Sequence, residues 1–462
     1  MTMHHQEADL GVPQVTRILA EWVVNLQNDE IPTAVRREGV RTFVNWVGCA
    51  VGGASHETTD RVLAAVMPLS GEKVATVLGR VERLDPAHAA LVNGISSHVL
   101  DYDDTHLKTV IHPAGPVASA ILALAERRPV SGADFLTALI AGCEVACRIG
   151  NCIYPDHYTR GWHITGTAGV FGAAAAVGKL IGLDAQKMCW AFGLAASQSS
   201  GLREMLGTMT KSFHPGRAAQ NGMLSALLAE AGYDSSERAI EAPRGFANVM
   251  SDKQDYAAIT EELGTRWEAA LNSYKPYACG IVIHPAIDGC IQLRADLGDR
   301  VGDITSVKLR AHPLVLELTG RRYPKTELEG KFSVYHATAC ALLHGDGSPT
   351  AFADEMVNDP AIIAMREKIE VETDPEMHEA SVDVSVTLTD GSRAQKHVKW
   401  AIGSAEKPLS DRQLDEKFTR QSTLVIGAEA TGRLLAAAWN VESRSDVAEI
   451  AKASIPPGTA SH

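Results

Sequence analysis

The stretch Asp101-Tyr102-Asp103-Asp104-Thr105-His106, followed by Leu107 to Ile111 and then His112-Pro113, puts three carboxylates, the Thr105 hydroxyl and two imidazoles within twelve residues. It stands between two Ala-, Leu- and Val-rich runs of helical period, near residues 85–100 and 113–128. A solvated loop of this charge is seldom framed so tightly by apolar helices. The reading that fits is a polar island held inside a packed helical domain, where proton chemistry is available.

Further helical patterns extend outward from it. Residues 14 to about 54 read as two helices, His56-Glu57-Thr58-Thr59 opens another, and patterns follow near 132–149, 165–182, 185–200 and 215–231. Val74 to Leu78 is short and β-branched, a candidate strand fragment. Ala and Gly fill the helix interiors, and small residues let helix axes approach. The pattern changes after about residue 270. Ile304–Leu309, Ala380–Leu388 and Ala394–Trp400 alternate as strands do, and Asp390-Gly391 signals a hairpin between the last two. Helical patterns near 285–297, 328–344 and 360–368 lie among them, and the chain is helical again from Ser410.

The expected fold class is therefore mainly α: a large all-helical domain (14–270 plus 405–453) and a smaller α+β lid domain (271–404). Residues 1–13 and 454–462 are expected to be disordered tails.

The 462 residues are 45% hydrophobic and 21% charged, with a net charge of −13. That composition suits a globular protein and opposes nucleic-acid binding, which needs a basic patch. The eight cysteines (Cys49, Cys143, Cys147, Cys152, Cys189, Cys279, Cys290, Cys340) form no CxxC pair and mostly sit in apolar helical patterns. They point to reduced thiols and a cytoplasmic setting. The N-terminal residues do not read as a signal peptide, and the apolar run Gly166–Leu183, broken by Gly and carrying Lys179, reads as a buried helix rather than a membrane span.

His-Pro occurs four times, at His112, His214, His284 and His312. Random pairing of 17 His and 20 Pro gives less than one. Three of these pairs are expected to open helices, and His163 stands similarly before Thr165-Gly166. A helix start disfavours imidazolium and its free amides bind anions, so such a histidine stays neutral and can accept a proton. Taken singly, each is first a polar residue serving a helix start. The excess of pairs and the cations beside them shift the reading to function: Lys211 and Arg217 flank His214, and Lys275 precedes His284. There is no GxGxxG after a strand, no P-loop, no GxSxG and no zinc spacing. Asp101, Asp103 and Asp104 could hold a cation, but Thr105 and His106 break an EF-hand pattern. The expectation is proton transfer with neither metal nor organic cofactor.

Four segments carry a resemblance. They are Asp101-Tyr102-Asp103-Asp104-Thr105 with His112-Pro113; Gly161-Trp162-His163-Ile164-Thr165-Gly166; Thr210-Lys211-Ser212-Phe213-His214-Pro215-Gly216-Arg217; and Lys275-Pro276-Tyr277-Ala278-Cys279 with His284-Pro285-Ala286-Ile287-Asp288. In this order, across residues 14 to about 450, the chain resembles the MmgE/PrpD family, which includes 2-methylcitrate dehydratase, cis-aconitate decarboxylase and iminodisuccinate epimerase. The resemblance implies a helical domain with an α+β lid, a homodimer, and a cofactor-free active site between the domains that takes a small anionic carboxylate. By position, Asp101, Thr105, His112, His163, Lys211 and His284 correspond to pocket-lining residues of the decarboxylase branch, and Tyr323 falls near an aromatic that closes that pocket. The first motif departs from the dehydratases, which carry Asn and Trp there.

The expected chemistry forms or protonates a carbanion beside a carboxylate. Lys211 would neutralise the carboxylate, His112 or His163 would be the base, Asp101 would orient an imidazole, and His284 would supply a proton from the lid. Thr105, His214, Arg217, Tyr323 and Lys275 would bind substrate. A lyase on a di- or tricarboxylate is the leading reading. An imino- or amino-dicarboxylate epimerase and a non-catalytic carboxylate binder are the alternatives. A neutral imidazole base should give a pH–rate limb between about 5 and 8.

Overall fold

The computed structural model describes residues 14–458; the expected tail 1–13 and the end of the second tail, 459–462, lie outside the described residues. Ser454, inside the expected second tail, is buried, and its hydroxyl donates to Ala451 O at 2.6 Å.

The helical part is built on α1 (Thr33–Gly52), α2 (Pro86–Val99), α3 (Ala114–Ala125), α4 (Gly132–Ile153), α5 (Ile164–Leu180), α6 (Ala185–Gln198) and α7 (Met209–Glu230). Their starts follow the sequence. Ser131 caps α4 by accepting from Asp134 N, and Asp85 caps α2 by accepting from Ala87 N and His88 N. Every residue of α5 from Ile164 to Gly178 is buried. Such burial needs close helix crossings, and glycine supplies them. A Cβ on Gly142 of α4 would lie 2.7 Å from Gly172 O of α5. A Cβ on Gly216 of α7 would lie 2.4 Å from Leu91 O, and one on Gly94 of α2 would lie 2.5 Å from Gly216 Cα. The second crossing brings Lys211 beside α2. Helix α4 is long and apolar enough to cross a membrane, but 94% of that window is buried within the protein.

One expectation fails here. Helix α7 begins at Met209, so His214 and Pro215 lie inside it and do not open it. The helix keeps the proline, which cannot donate to the Lys211 carbonyl one turn back.

Residues 104–106 form strand β1 (Asp104–His106), which pairs antiparallel with β2 (Asn272–Tyr274), Asp104 opposite Tyr274. Neither strand was evident from the sequence. The ladder matters because β2 runs directly into Lys275 and so delivers that lysine to the Asp101 turn.

The chain then builds α8 (His284–Leu297), β3 (Ile304–Ala311), α9 (Val334–His344), β4 (Ile369–Thr373), β5 (Val382–Leu388) and β6 (Arg393–Val398). The sheet order is β4-β3-β5-β6, with β3 and β4 parallel and the other pairs antiparallel. Val382, Val384, Val386 and Leu388 alternate inward to a second apolar core, and α8 approaches the sheet where a Cβ on Gly289 would lie 2.9 Å from Val384. At the β5–β6 turn Gly391 has φ +79°, and the Asp390 carboxylate accepts from Ser392 N. Helix α10 (Asp411–Ile426), opened by a Ser410–Gln413 capping box, returns to α1, where Phe418 lies against Gly48.

Candidate active site

Asp101 ends the turn after α2 with φ +50°, in the left-handed region that non-glycine residues rarely adopt. Its Oδ1 accepts from Lys211 Nζ at 2.6 Å and from Lys275 Nζ at 2.8 Å. Lys275 also reaches the Asp101 carbonyl at 3.2 Å. All three side chains are buried, and Asp101 Oδ2 has no hydrogen-bond partner among the described residues. Burial alone would raise the Asp101 carboxyl, but the two ammonium groups outweigh it and hold it well below the usual carboxylate range. Burial lowers Lys211. The same burial acts on Lys275, where the attraction of Asp101 and Asp103 wins and the net shift is upward.

The other two carboxylates do different work. Asp103 Oδ2 accepts from His98 Nδ1 at 2.7 Å, and its Oδ1 lies 3.5 Å from His112 Nδ1. Asp104 Oδ2 accepts from Ala114 N and Asn272 Nδ2, tying the motif to the start of α3 and to β2. Burial, and then the charge of Asp103, push the Asp104 carboxyl up to about 7. So Asp101 does not orient an imidazole; Asp103 takes that place.

His112 Nδ1 lies 2.7 Å from the Asp104 carbonyl and 3.3 Å from Thr105 Oγ1. A carbonyl only accepts, so Nδ1 carries the proton and Nε2 is the basic nitrogen. Burial, reinforced by Lys275 and His98, depresses this imidazole to about 3 despite Asp103. His163 precedes α5, as its position before Thr165-Gly166 suggested. Its Nδ1 meets His214 Nδ1 at 2.8 Å, so one ring donates and the other accepts. Burial and the His214 and Lys211 charges hold His163 well below its ordinary value, and burial takes His214 to about 4. Both shifts favour the neutral ring.

Asp101, Thr105, His112, His163, Lys211 and Lys275 line one cavity of about 50 Å³, together with Val110, Tyr158, Leu206, Ile281, Val282, Leu318, Thr319 and Phe332. A wider groove of about 670 Å³ shares Leu206, Leu318 and Phe332 with it, and there Arg203 bridges to Glu317 at 3.1 Å.

Four sequence candidates fall elsewhere. His214 stands behind His163 rather than in the cavity. Arg217 is exposed and bonded to Gln220, because α7 starts earlier than its His-Pro suggests and turns this residue outward. Tyr323 is 65% exposed; the aromatics at the cavity are Tyr158 and Phe332, and the Phe332 ring centre is 5.4 Å from Lys211 Nζ. His284 is buried beneath the Gly280–Val282 segment that lines the cavity, and its Nε2 donates to the Cys279 carbonyl at 3.3 Å.

His98 was not singled out from the sequence, since an imidazole within an apolar helical run carries no local sign of a partner. Its ring centre lies 4.7 Å from that of His112. Donor atoms of His98, Asp103 and His112 lie within 4.8 Å of one another. The protonated Nδ1 atoms of both rings face oxygens, and Lys211 and Lys275 supply positive charge nearby. The set therefore reads as a hydrogen-bonded chain in place of a cation site.

This fold and buried acid–base cluster define a class. Residues 17–259 match the MmgE/PrpD N-terminal domain and residues 277–442 the MmgE/PrpD C-terminal domain. The chain belongs to the MmgE/PrpD family. Among its relatives, the cis-aconitate decarboxylase of Aspergillus terreus is 26% identical over 90% of this chain and 91% of the relative. The cis-aconitate decarboxylase of Homo sapiens is 25% identical over 97% and 96%. The 2-methylcitrate dehydratase of Salmonella typhimurium is 25% identical over 90% and 92%.

Proposed function

We propose that this protein is a lyase acting on a small carboxylate by proton transfer at the carbon next to a carboxylate group, with no metal or organic cofactor. The observation that carries the reading is the convergence of two ammonium groups and two neutral imidazoles on one buried cavity. A substrate carboxylate docks against Lys211 and Lys275, which also offset the charge that develops as its α-carbon loses a proton. His112 Nε2 takes that proton. In a dehydration the C–O bond at the adjacent carbon breaks as the double bond forms. The leaving hydroxyl then takes back the proton that His112 has collected and departs as water. In a decarboxylation the C–C bond to a carboxylate breaks, carbon dioxide leaves, and the carbanion takes its proton from His112 after that ring has bound one from solvent. The relatives include enzymes named for each reaction.

A second reading, epimerisation of an imino- or amino-dicarboxylate, is favoured by one observation: His112 and His163 both face the cavity. Proton NMR of 2-methylcitrate, citrate, cis-aconitate and iminodisuccinate in heavy water separates the two. New vinyl signals support the lyase. Exchange with inversion and no vinyl signal supports the epimerase. A spectrum unchanged for every compound would sink both.

A further inference from the structure

One buried cation has no part in the chemistry above. Lys417, in α10, is buried, and its Nζ donates to the Asn45 carboxamide oxygen of α1 at 2.6 Å and to the Tyr102 carbonyl at 2.5 Å. It stands 4.1 Å from the centre of the Tyr102 ring and does not line the cavity. Both oxygens it bonds are neutral, and an ammonium is costly to bury on neutral oxygens. Helix α10 carries it across 315 positions of sequence to reach this backbone carbonyl.

That carbonyl belongs to the residue after the strained one. Asp101 has φ +50°, and a non-glycine residue persists in that region where its surroundings over-determine it. The surroundings here are specific. Lys275 Nζ holds the Asp101 carbonyl at 3.2 Å, and Cys49 Sγ joins Lys417 on the Tyr102 carbonyl at 3.4 Å. The Tyr102 hydroxyl donates to the Pro276 carbonyl at 3.2 Å. The turn is thus pinned from α1, from α10 and from the segment after β2, and Lys417 makes the shortest of these bonds.

We infer that Lys417 is a positioning residue. By fixing the Tyr102 carbonyl it keeps Asp101 in its left-handed turn, and the turn sets Asp101 Oδ1 where Lys211 and Lys275 both reach it. Its effect on turnover rests on the function proposed above; its effect on the turn does not.

The test compares full-length Lys417→Met and Lys417→Gln with the parent by crystallography, urea unfolding and kinetics. Methionine fills the space with no donor. Glutamine donates, but its shorter side chain reaches the carbonyl less well. In Lys417→Met, Asp101 should leave positive φ, and Oδ1 should lose its hydrogen bond to one of the two lysines. On 2-methylcitrate, citrate or cis-aconitate, whichever reacts, kcat should fall roughly 10²-fold, the scale of a misplaced catalytic group. KM should change little, because both lysines remain to bind the carboxylate. Lys417→Gln should lie between Lys417→Met and the parent in structure and in kcat, and it carries the test alone if Lys417→Met does not fold. An unmoved Asp101 with both lysine contacts intact overturns the inference, as does a parental kcat in a variant whose turn has moved. A lower kcat matched only by a lower unfolding midpoint, with Asp101 in place, makes Lys417 ordinary packing and also overturns it. If none of the compounds reacts with the parent protein, the lyase reading falls, and the Asp101 backbone in the variants decides this inference.

Discussion

Lys275, just after β2, and Lys211, in α7, reach the same carboxylate oxygen, Asp101 Oδ1, at 2.8 and 2.6 Å. The contact depends on the β1–β2 ladder for one lysine and on the Gly94–Gly216 crossing for the other. Removing either ammonium removes half the charge available to a developing carbanion. Lys211→Ala should lower kcat roughly 10²–10³-fold, the scale for one electrostatic donor, while circular dichroism and the unfolding midpoint stay near those of the parent. Near-parental turnover in that variant would end the electrostatic part of the proposal.

The His163–His214 pair makes a separate claim. One ring must donate at Nδ1, which fixes where the other ring keeps its proton. His214 does not line the cavity, so His214→Ala should reduce kcat by about 10²-fold with KM little changed, because the tautomer and aim of His163 are lost and the binding cations are not. A rise in KM at constant kcat would instead place His214 in substrate binding.

How much of this was legible in the sequence differs residue by residue. His112, His163 and Lys211 could be found because helix starts and clustered charge announce them in one dimension. The separate duties of Asp101, Asp103 and Asp104 could not, since the first and third are assigned by partners distant in sequence, Lys275 and Asn272. Asp103 answers to His98, which a helical apolar run conceals. Arg217 misled because its helix begins at Met209, and a start displaced by a turn and a half rotates every later side chain. Strand β4 was missed because a five-residue alternation, Ile369-Glu370-Val371-Glu372-Thr373, is fixed by its parallel partner β3 more than by its own pattern. The β5–β6 hairpin was readable because Asp390-Gly391 carries its own turn geometry.

The Gly94–Gly216 crossing predicts a packing defect with a functional echo. In Gly216→Ala the new methyl would lie 2.4 Å from a backbone oxygen, which cannot swing away as a side chain tip can. Overpacking of this kind costs about 1–3 kcal/mol, and the relief is a shift of α7 away from α2. Urea unfolding should show a lower midpoint at unchanged m, and turnover should fall more than stability does, because Lys211 moves with α7. Gly432, whose Cβ would meet nothing within 4 Å, is the control position.

Acid should destabilise the protein well before its carboxylates titrate. His112 and His284 are depressed to about 3, and His157, His214 and His336 to about 4, in each case chiefly by burial. In the unfolded chain these imidazoles bind protons near pH 6.5. A group whose folded pKa is depressed stabilises the fold above its unfolded value and loses that contribution as pH falls toward the folded one. Each can therefore remove up to about 1.4 kcal/mol per pH unit between roughly pH 6.5 and its folded pKa. Asp104 works in the opposite direction. Raised to about 7, it favours the fold below its ordinary 3.8 and loses that contribution as pH rises to 7. Five imidazoles outweigh one carboxyl, so the urea midpoint should drop steadily from pH 7 to pH 5 at constant m. Asp104→Asn should leave the slope of that drop steeper, because the one opposing group is gone. A midpoint flat across this range would mean that the buried rings are already protonated, and His112 could then not serve as the base.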